Sequence, residues 1–152
     1  MKETPQKNRT VMAIIAILIG LLMIALIPFL IQTSLERVLE NITRVVQAGE
    51  GKYRSGLKLF DLFYPVWRAI IFVAGITLIV ISGEIRKGEE WTYPLAISMF
   101  SLPAIGGFFM FLPYISFVED SFPLPMAVSF IGLAGYWAVS YTHLTLPTKR
   151  IV

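Results

Sequence analysis

"VMAIIAILIGLLMIALIPFLI", residues 11–31, is an apolar segment without a single charged side chain. An α-helix of this length is about 31 Å long and matches the hydrocarbon core of a bilayer, which is about 30 Å thick. A secretory signal peptide has a shorter apolar core and a small-residue cleavage site after it. The following residues, "QTSLER" (32–37), contain no such site. The segment therefore predicts an uncleaved first transmembrane helix.

The whole chain has the composition of an integral membrane protein. Of its 152 residues, 56% are hydrophobic and only 15% are charged, whereas about a quarter of the residues are charged in a typical soluble domain. Further apolar segments lie at about 62–82, 92–118 and 124–138. The sequence predicts an all-α fold, a polytopic transmembrane helix bundle with four spans of which the fourth is incomplete. These spans form a single membrane domain over residues 1–138.

Residues 34–48, between the first two spans, have the periodicity of an amphipathic helix. Apolar side chains recur there at intervals of three and four residues, namely Leu35, Val38, Leu39, Ile42, Val45 and Val46. Thr33 and Glu36 have the spacing of an N-terminal capping box. We expect a separate extramembrane helix, because the segment is too polar to cross. Its apolar stripe lies at the membrane interface, on the flank of the bundle, or against a partner protein.

Residues 139–152 differ in character from the rest of the chain. The stretch "VSYTHLTLPT", Val139 to Thr148, resembles a translation of the transposon-end adapter used in sequencing libraries, and every residue agrees in one reading frame. The tail also contains His143, the only histidine. We expect residues 139–152 to be foreign to the native protein, so that its fourth helix is cut off after about 22 Å. Val139 to Leu144 are nevertheless apolar enough to continue a helix.

Basic residues near the spans predict the orientation, because Lys and Arg in short loops favour the cytoplasmic side. They divide equally here: Lys2, Lys7, Arg9, Arg86 and Lys87 lie on one side, and Arg37, Arg44, Lys52, Arg54 and Lys58 on the other. The basic residues directly before the first span usually dominate, and "VEDSFPLP" (118–125) on the opposite side contains acids without Lys or Arg. The sequence predicts a multi-pass plasma (cytoplasmic) membrane protein with a cytoplasmic N-terminus.

The residue types present exclude several chemistries. The chain has no cysteine, which removes thiolate nucleophiles, iron–sulfur ligation and Cys-based zinc sites. Without His143, histidine-based metal sites and Ser-His catalysis also lose their key residue. The net charge of +3 falls to +1 without Lys149 and Arg150, and no basic cluster suits nucleic acid. We predict no cofactor, no metal site, no catalytic residue and no enzymatic activity.

Four residues remain candidates for a binding site. Arg68 lies about one turn inside the second span, where a charge is a functional hypothesis by default; snorkelling to the headgroups or pairing with Asp61 are the alternatives. Gly106 and Gly107 lie in the third span, which also contains three prolines. Such a segment predicts either a broken helix that lines a substrate path or close packing against a neighbouring helix.

Three classes of function are compatible with these features. The first is a structural or accessory subunit of a membrane complex, because this role needs no polar site within the membrane. Its partners are the lipid bilayer and other membrane subunits or a second copy of the chain, and the spacings Ala16–Gly20 and Ala134–Ala138 suit close helix packing. The second is a fragment of a transporter or channel with Arg68 at the pathway. The third is a membrane enzyme whose active site lies in a missing C-terminal part.

Overall fold

The computed structural model describes residues 6–48, 54–117 and 124–144. Within these ranges the chain is helical and contains no strand. The helices are α1 (Gln6–Gln47), α2 (Arg54–Lys87), α3 (Thr92–Phe117) and α4 (Leu124–Leu144). The predicted all-α class is therefore confirmed.

Helices long and apolar enough to cross a membrane cover Asn8–Gln47, Phe60–Lys87 and Thr92–Phe111. A shorter apolar stretch, Pro125–Val139, lies in α4. Large apolar side chains are exposed on every helix, for example Leu18, Val80, Phe108 and Trp137. An outer surface of this kind suits contact with lipid and not with water. These features are those of a membrane protein.

The helices form a four-cornered bundle in which consecutive helices run antiparallel. The most extensive pairing joins α1 to α2, and the next joins α3 to α4. Smaller contacts of α1 with α4 and of α2 with α3 close the ring, so that α2 and α4 occupy opposite corners. The core between the helices is filled mainly by aliphatic and aromatic side chains, such as Met23, Ile27, Ile71, Leu78 and Phe100.

The α1–α2 pair approaches closely at two glycines. A Cβ atom on Gly20 would lie 2.8 Å from the Gly75 carbonyl oxygen, and a Cβ on Gly75 would lie 2.8 Å from that of Gly20. Ala16, one turn from Gly20, is fully buried. Small residues at these positions let the two backbones meet. The packing role predicted for the Ala16–Gly20 spacing is confirmed.

The close contact in the second pair is made by two glycines of α4. Gly132 faces the backbone of α3 at Ala104, and Gly135 faces the ring of Phe100. Ala134 is exposed, so that the Ala134–Ala138 spacing does not serve this contact, and its suitability for packing against another subunit stays a prediction. A helix turns by about 100° per residue, so that residues three apart lie on the same face. Gly132 and Gly135 therefore form the face of α4 that contacts α3.

The amphipathic segment is a continuation of α1, so that the prediction of a separate helix over 34–48 is wrong. Thr33 does not cap a new helix, because its hydroxyl donates to the Phe29 carbonyl oxygen one turn back, at 3.0 Å. The apolar stripe packs on the flank of the bundle. Val38 and Ile42 are fully buried beside Tyr114 of α3, with Phe60 of α2 packed against them.

The predicted limits of two other helices also differ from the structure. α2 extends beyond both ends of the predicted span 62–82, because the polar flanking residues continue the helix outside the apolar segment. α4 continues to Leu144, and Val139 is buried against the core cluster. The foreign origin of residues 139–152 is a statement about the gene and stays a prediction.

Candidate functional site

Arg68 takes part in a chain of hydrogen bonds that joins α2 to α1. Its Nη1 atom donates to Oε1 of Gln32 at 2.6 Å. Nε2 of Gln32 in turn donates to Oε1 of Glu36, one turn along α1, at 2.8 Å. The guanidinium charge of Arg68 is thus linked through a neutral amide to a carboxylate. We call these three residues the arginine chain.

The direction of the Arg68 side chain explains its partner. Side chains on a helix lean toward the N-terminus of that helix, and the N-terminal end of α2 lies beside the Gln32 end of the first span. Arg68 therefore reaches toward Gln32, at the end of the apolar segment of α1, and its snorkelling to lipid headgroups stays a prediction. Asp61 is exposed, and in the part of the chain that the structure describes it forms no ion pair with Arg68.

Sequence reasoning did not identify Gln32 as the partner of Arg68. The available signal was the i,i+4 spacing of Gln32 and Glu36, which places the amide and the carboxylate on one face of α1. A second polar contact lies one turn further along. Nη1 of Arg37 lies 3.4 Å from the hydroxyl oxygen of the buried Tyr114 and donates to it. This contact joins α1 to α3 at the same end of the bundle.

Gly106 and Gly107 face two different neighbours. The indole ring of Trp67, on α2, occupies the space where a Gly106 side chain would lie. A Cβ atom on Gly107 would lie 2.6 Å from the Pro125 carbonyl oxygen and 2.6 Å from the Ser129 amide nitrogen, both on α4. Of the two predicted alternatives for these glycines, the structure shows close helix packing.

The third span is one continuous helix despite its prolines. A hydrogen bond between helices supports it at its centre, because the buried Ser129 hydroxyl of α4 donates to the Ala104 carbonyl oxygen at 2.7 Å. Hydrogen bonds of this type join helices in an apolar surrounding where no water competes for the donor. The α3–α4 pair is thus held by glycine contacts and by a polar bond.

At the opposite end of the bundle, Arg9 of α1 binds the last turn of α2. Its Nη1 atom donates to the Lys87 carbonyl oxygen at 3.2 Å. Gly88 follows with a φ of 87°, and the amide groups of Gly88 and Glu89 donate back to the Ile85 and Glu84 carbonyls. This is a Schellman cap. A cation beside the carbonyl end of a helix also interacts favourably with the helix dipole.

These polar groups form hydrogen bonds with one another and so connect the helices. Among the residues with a described position, no three His, Cys, Asp or Glu side chains lie close enough to hold a metal ion. Comparison with known proteins adds no family: no protein-family model, curated protein or solved structure matches this chain.

Proposed function

We propose that this chain is a structural or accessory subunit of a membrane complex, without enzymatic activity of its own. The observation that carries the proposal is that the candidate residues make contacts with neighbouring helices. Arg68 is held by Gln32, and Gly106 and Gly107 are covered by Trp67 and by α4. Residues that would serve a pathway in a transporter here serve contacts between helices.

The outer surface supports a role in assembly. Aromatic side chains are exposed on neighbouring helices, with Phe108 on α3 63% exposed and Phe130 on α4 58% exposed. Phe100, on the inner side of α3, is completely buried. Exposed aromatic side chains suit contact with lipid, and aromatic residues are also enriched at the interfaces between proteins. The α3–α4 side is therefore the first place to test for a neighbouring subunit.

Site-specific photo-crosslinking in native membranes tests the proposal. A photoreactive phenylalanine analogue replaces Phe108 or Phe130, and the same analogue at Phe100 is the matched control. We expect a discrete crosslinked band, containing this chain and a second membrane protein, from the exposed positions and not from Phe100. Lipid adducts as the only products at both exposed positions would contradict the proposal.

A transport assay separates this role from that of a transporter or channel. Arg68→Ala removes the charged side chain that would line a pathway. We expect the flux of candidate solutes across cell membranes that contain the chain to be the same for wild type and Arg68→Ala. A flux that depends on the wild-type chain and is lost in Arg68→Ala, with the protein still folded, would favour a transporter.

A further inference from the structure

A groove runs along the outer side of the bundle between α2 and α3. It consists of two adjoining hollows of about 220 and 510 Å³, which share three aliphatic side chains. Of the described residues that line it, only Thr77 and Ser101 have polar side chains. Both hydroxyls donate to carbonyl oxygens of their own helices, at Val73 and Ser98. The groove therefore offers apolar contacts to an occupant, and its hydroxyl donors are already engaged.

The wall of the groove suits a flexible apolar chain better than a second helix. Helices that meet in a membrane do so at small residues, which let the backbones approach, or through hydrogen bonds between them. Branched side chains form most of this wall, for example Val66, Val73 and Leu102. A lipid acyl chain needs neither a small-residue contact nor a donor, because many weak apolar contacts hold it.

The length of the groove matches one leaflet of the bilayer. On α3 the groove extends from Leu95 to Gly106, which at 1.5 Å per residue is about 16 Å. Half of a hydrocarbon core about 30 Å thick is about 15 Å. The indole ring of Trp67 packs against Gly106 at the far end. An acyl chain that enters beside Leu95 therefore ends beside Trp67.

The end of the groove nearest the turn between α2 and α3 is polar and bears charges of both signs. Glu84 lies two turns beyond Thr77 and so continues the same face of α2. Its Oε1 atom accepts a hydrogen bond from Nζ of Lys87 at 2.6 Å. Trp91, directly before α3, is 51% exposed. Tryptophan rings in such positions lie at the level of the lipid headgroups.

We propose that the groove binds one phospholipid with an ethanolamine headgroup. Its acyl chain lies between α2 and α3, its phosphate beside the Lys87 ammonium, and its own ammonium group donates to the Glu84 carboxylate. A headgroup with one charge of each sign matches this pair, and charged hydrogen bonds are the stronger ones. A choline headgroup has no N–H donor, and a glycerol headgroup has no positive charge. The polar end therefore selects the headgroup, and the apolar wall holds the chain.

Native mass spectrometry tests the proposal on the full chain, purified from bilayers with equal amounts of ethanolamine, choline and glycerol phospholipids. We expect one ethanolamine lipid per chain, enriched about fivefold over the other two, as for an exposed ion pair. Val73→Phe places a ring in the groove and should lower the lipid occupancy about tenfold. Val11→Phe makes the same change on an exposed position of α1 and should leave the occupancy within about twofold.

Glu84→Gln separates the headgroup from the chain. It removes the carboxylate, so that the three lipids should bind about equally, with one lipid still bound per chain. The proposal is overturned when the wild type retains no lipid or the three lipids equally, or when Val73→Phe and Val11→Phe retain the same amount. A photoreactive residue at Val73 that crosslinks to a second protein, and not to lipid, would also overturn it and identify the groove as a site for another helix.

Discussion

At the scale of single residues, Gln32 is the partner that lets Arg68 remain at the edge of the apolar region. Gln32→Leu removes the acceptor for the guanidinium and the donor for Glu36. We expect the free energy of unfolding in mixed micelles to fall by about 1.5–3 kcal/mol, since hydrogen bonds to charged groups contribute in this range. In Arg68→Leu the same change should cost less, because the interaction is already lost.

Asp61→Asn is the control for the arginine chain. Asp61 is exposed, and we expect its replacement to change the free energy of unfolding by less than about 0.5 kcal/mol. An effect of Asp61→Asn equal to that of Gln32→Leu would identify Asp61 as the true partner of Arg68.

Gly88 is the position where the backbone itself requires glycine. Its φ of 87° lies in the left-handed region, and a side chain there would meet the Arg9 guanidinium. We expect Gly88→Ala to lower the free energy of unfolding by about 1–2 kcal/mol. Gly83→Ala, inside α2 and in open space, should instead raise it by about 0.5–1 kcal/mol. Equal effects of the two changes would show that the cap at Gly88 contributes nothing.

At the scale of helices, the Gly20–Gly75 contact sets the distance between α1 and α2. Gly20→Leu forces a side chain into the space now filled by the Gly75 carbonyl and Ile79. We expect a loss of about 1–3 kcal/mol in the free energy of unfolding, as for overpacked cores. Ala25→Leu on the exposed side of the same helix is the matched control and should have little effect. A comparable loss in Ala25→Leu would mean that a leucine destabilises α1 wherever it is placed, and that the Gly20–Gly75 contact is not the cause.

The sequence predicts a helix correctly where a long apolar segment determines it. It fails where a short polar pattern is compatible both with the start of a helix and with its continuation. The apolar segment 11–31 is long and apolar enough to cross a membrane, and it lies in a helix as its length predicted. Thr33 and Glu36 have the spacing of a helix start, yet Thr33 bonds back to Phe29. A threonine hydroxyl can bond either to a backbone amide after it, as a cap, or to a carbonyl one turn before it. Val38 and Ile42 pack on Tyr114, and this contact favours the continuous helix. The local sequence gives no sign of it.

At the scale of the whole molecule, the orientation in the membrane can be tested directly because the chain contains no cysteine. Gln47 at the end of α1 and Glu89 in the turn after α2 are both exposed and lie at opposite ends of the bundle. We expect a membrane-impermeant maleimide to label Gln47→Cys in intact cells and Glu89→Cys only after permeabilisation. The opposite result would place the N-terminus outside, and recovery of the chain in the soluble fraction after carbonate washing would contradict membrane insertion itself.

The candidate site shows where sequence reasoning stops at this scale. Arg68 was recognisable as an exception in an apolar span, but its partner Gln32 lies 36 residues away on another helix. Which residues meet in the centre depends on how the four helices are rotated, and that rotation depends on glycine contacts between distant segments.

The bond between Arg9 and the end of α2 has a consequence for synthesis of the chain. The two partners lie 78 residues apart, and ribosomes add about 5–20 residues per second. Arg9 must therefore wait about 4–16 s for the Lys87 carbonyl to emerge. The α1 segment therefore leaves the ribosome seconds before its hairpin with α2 can close at this bond.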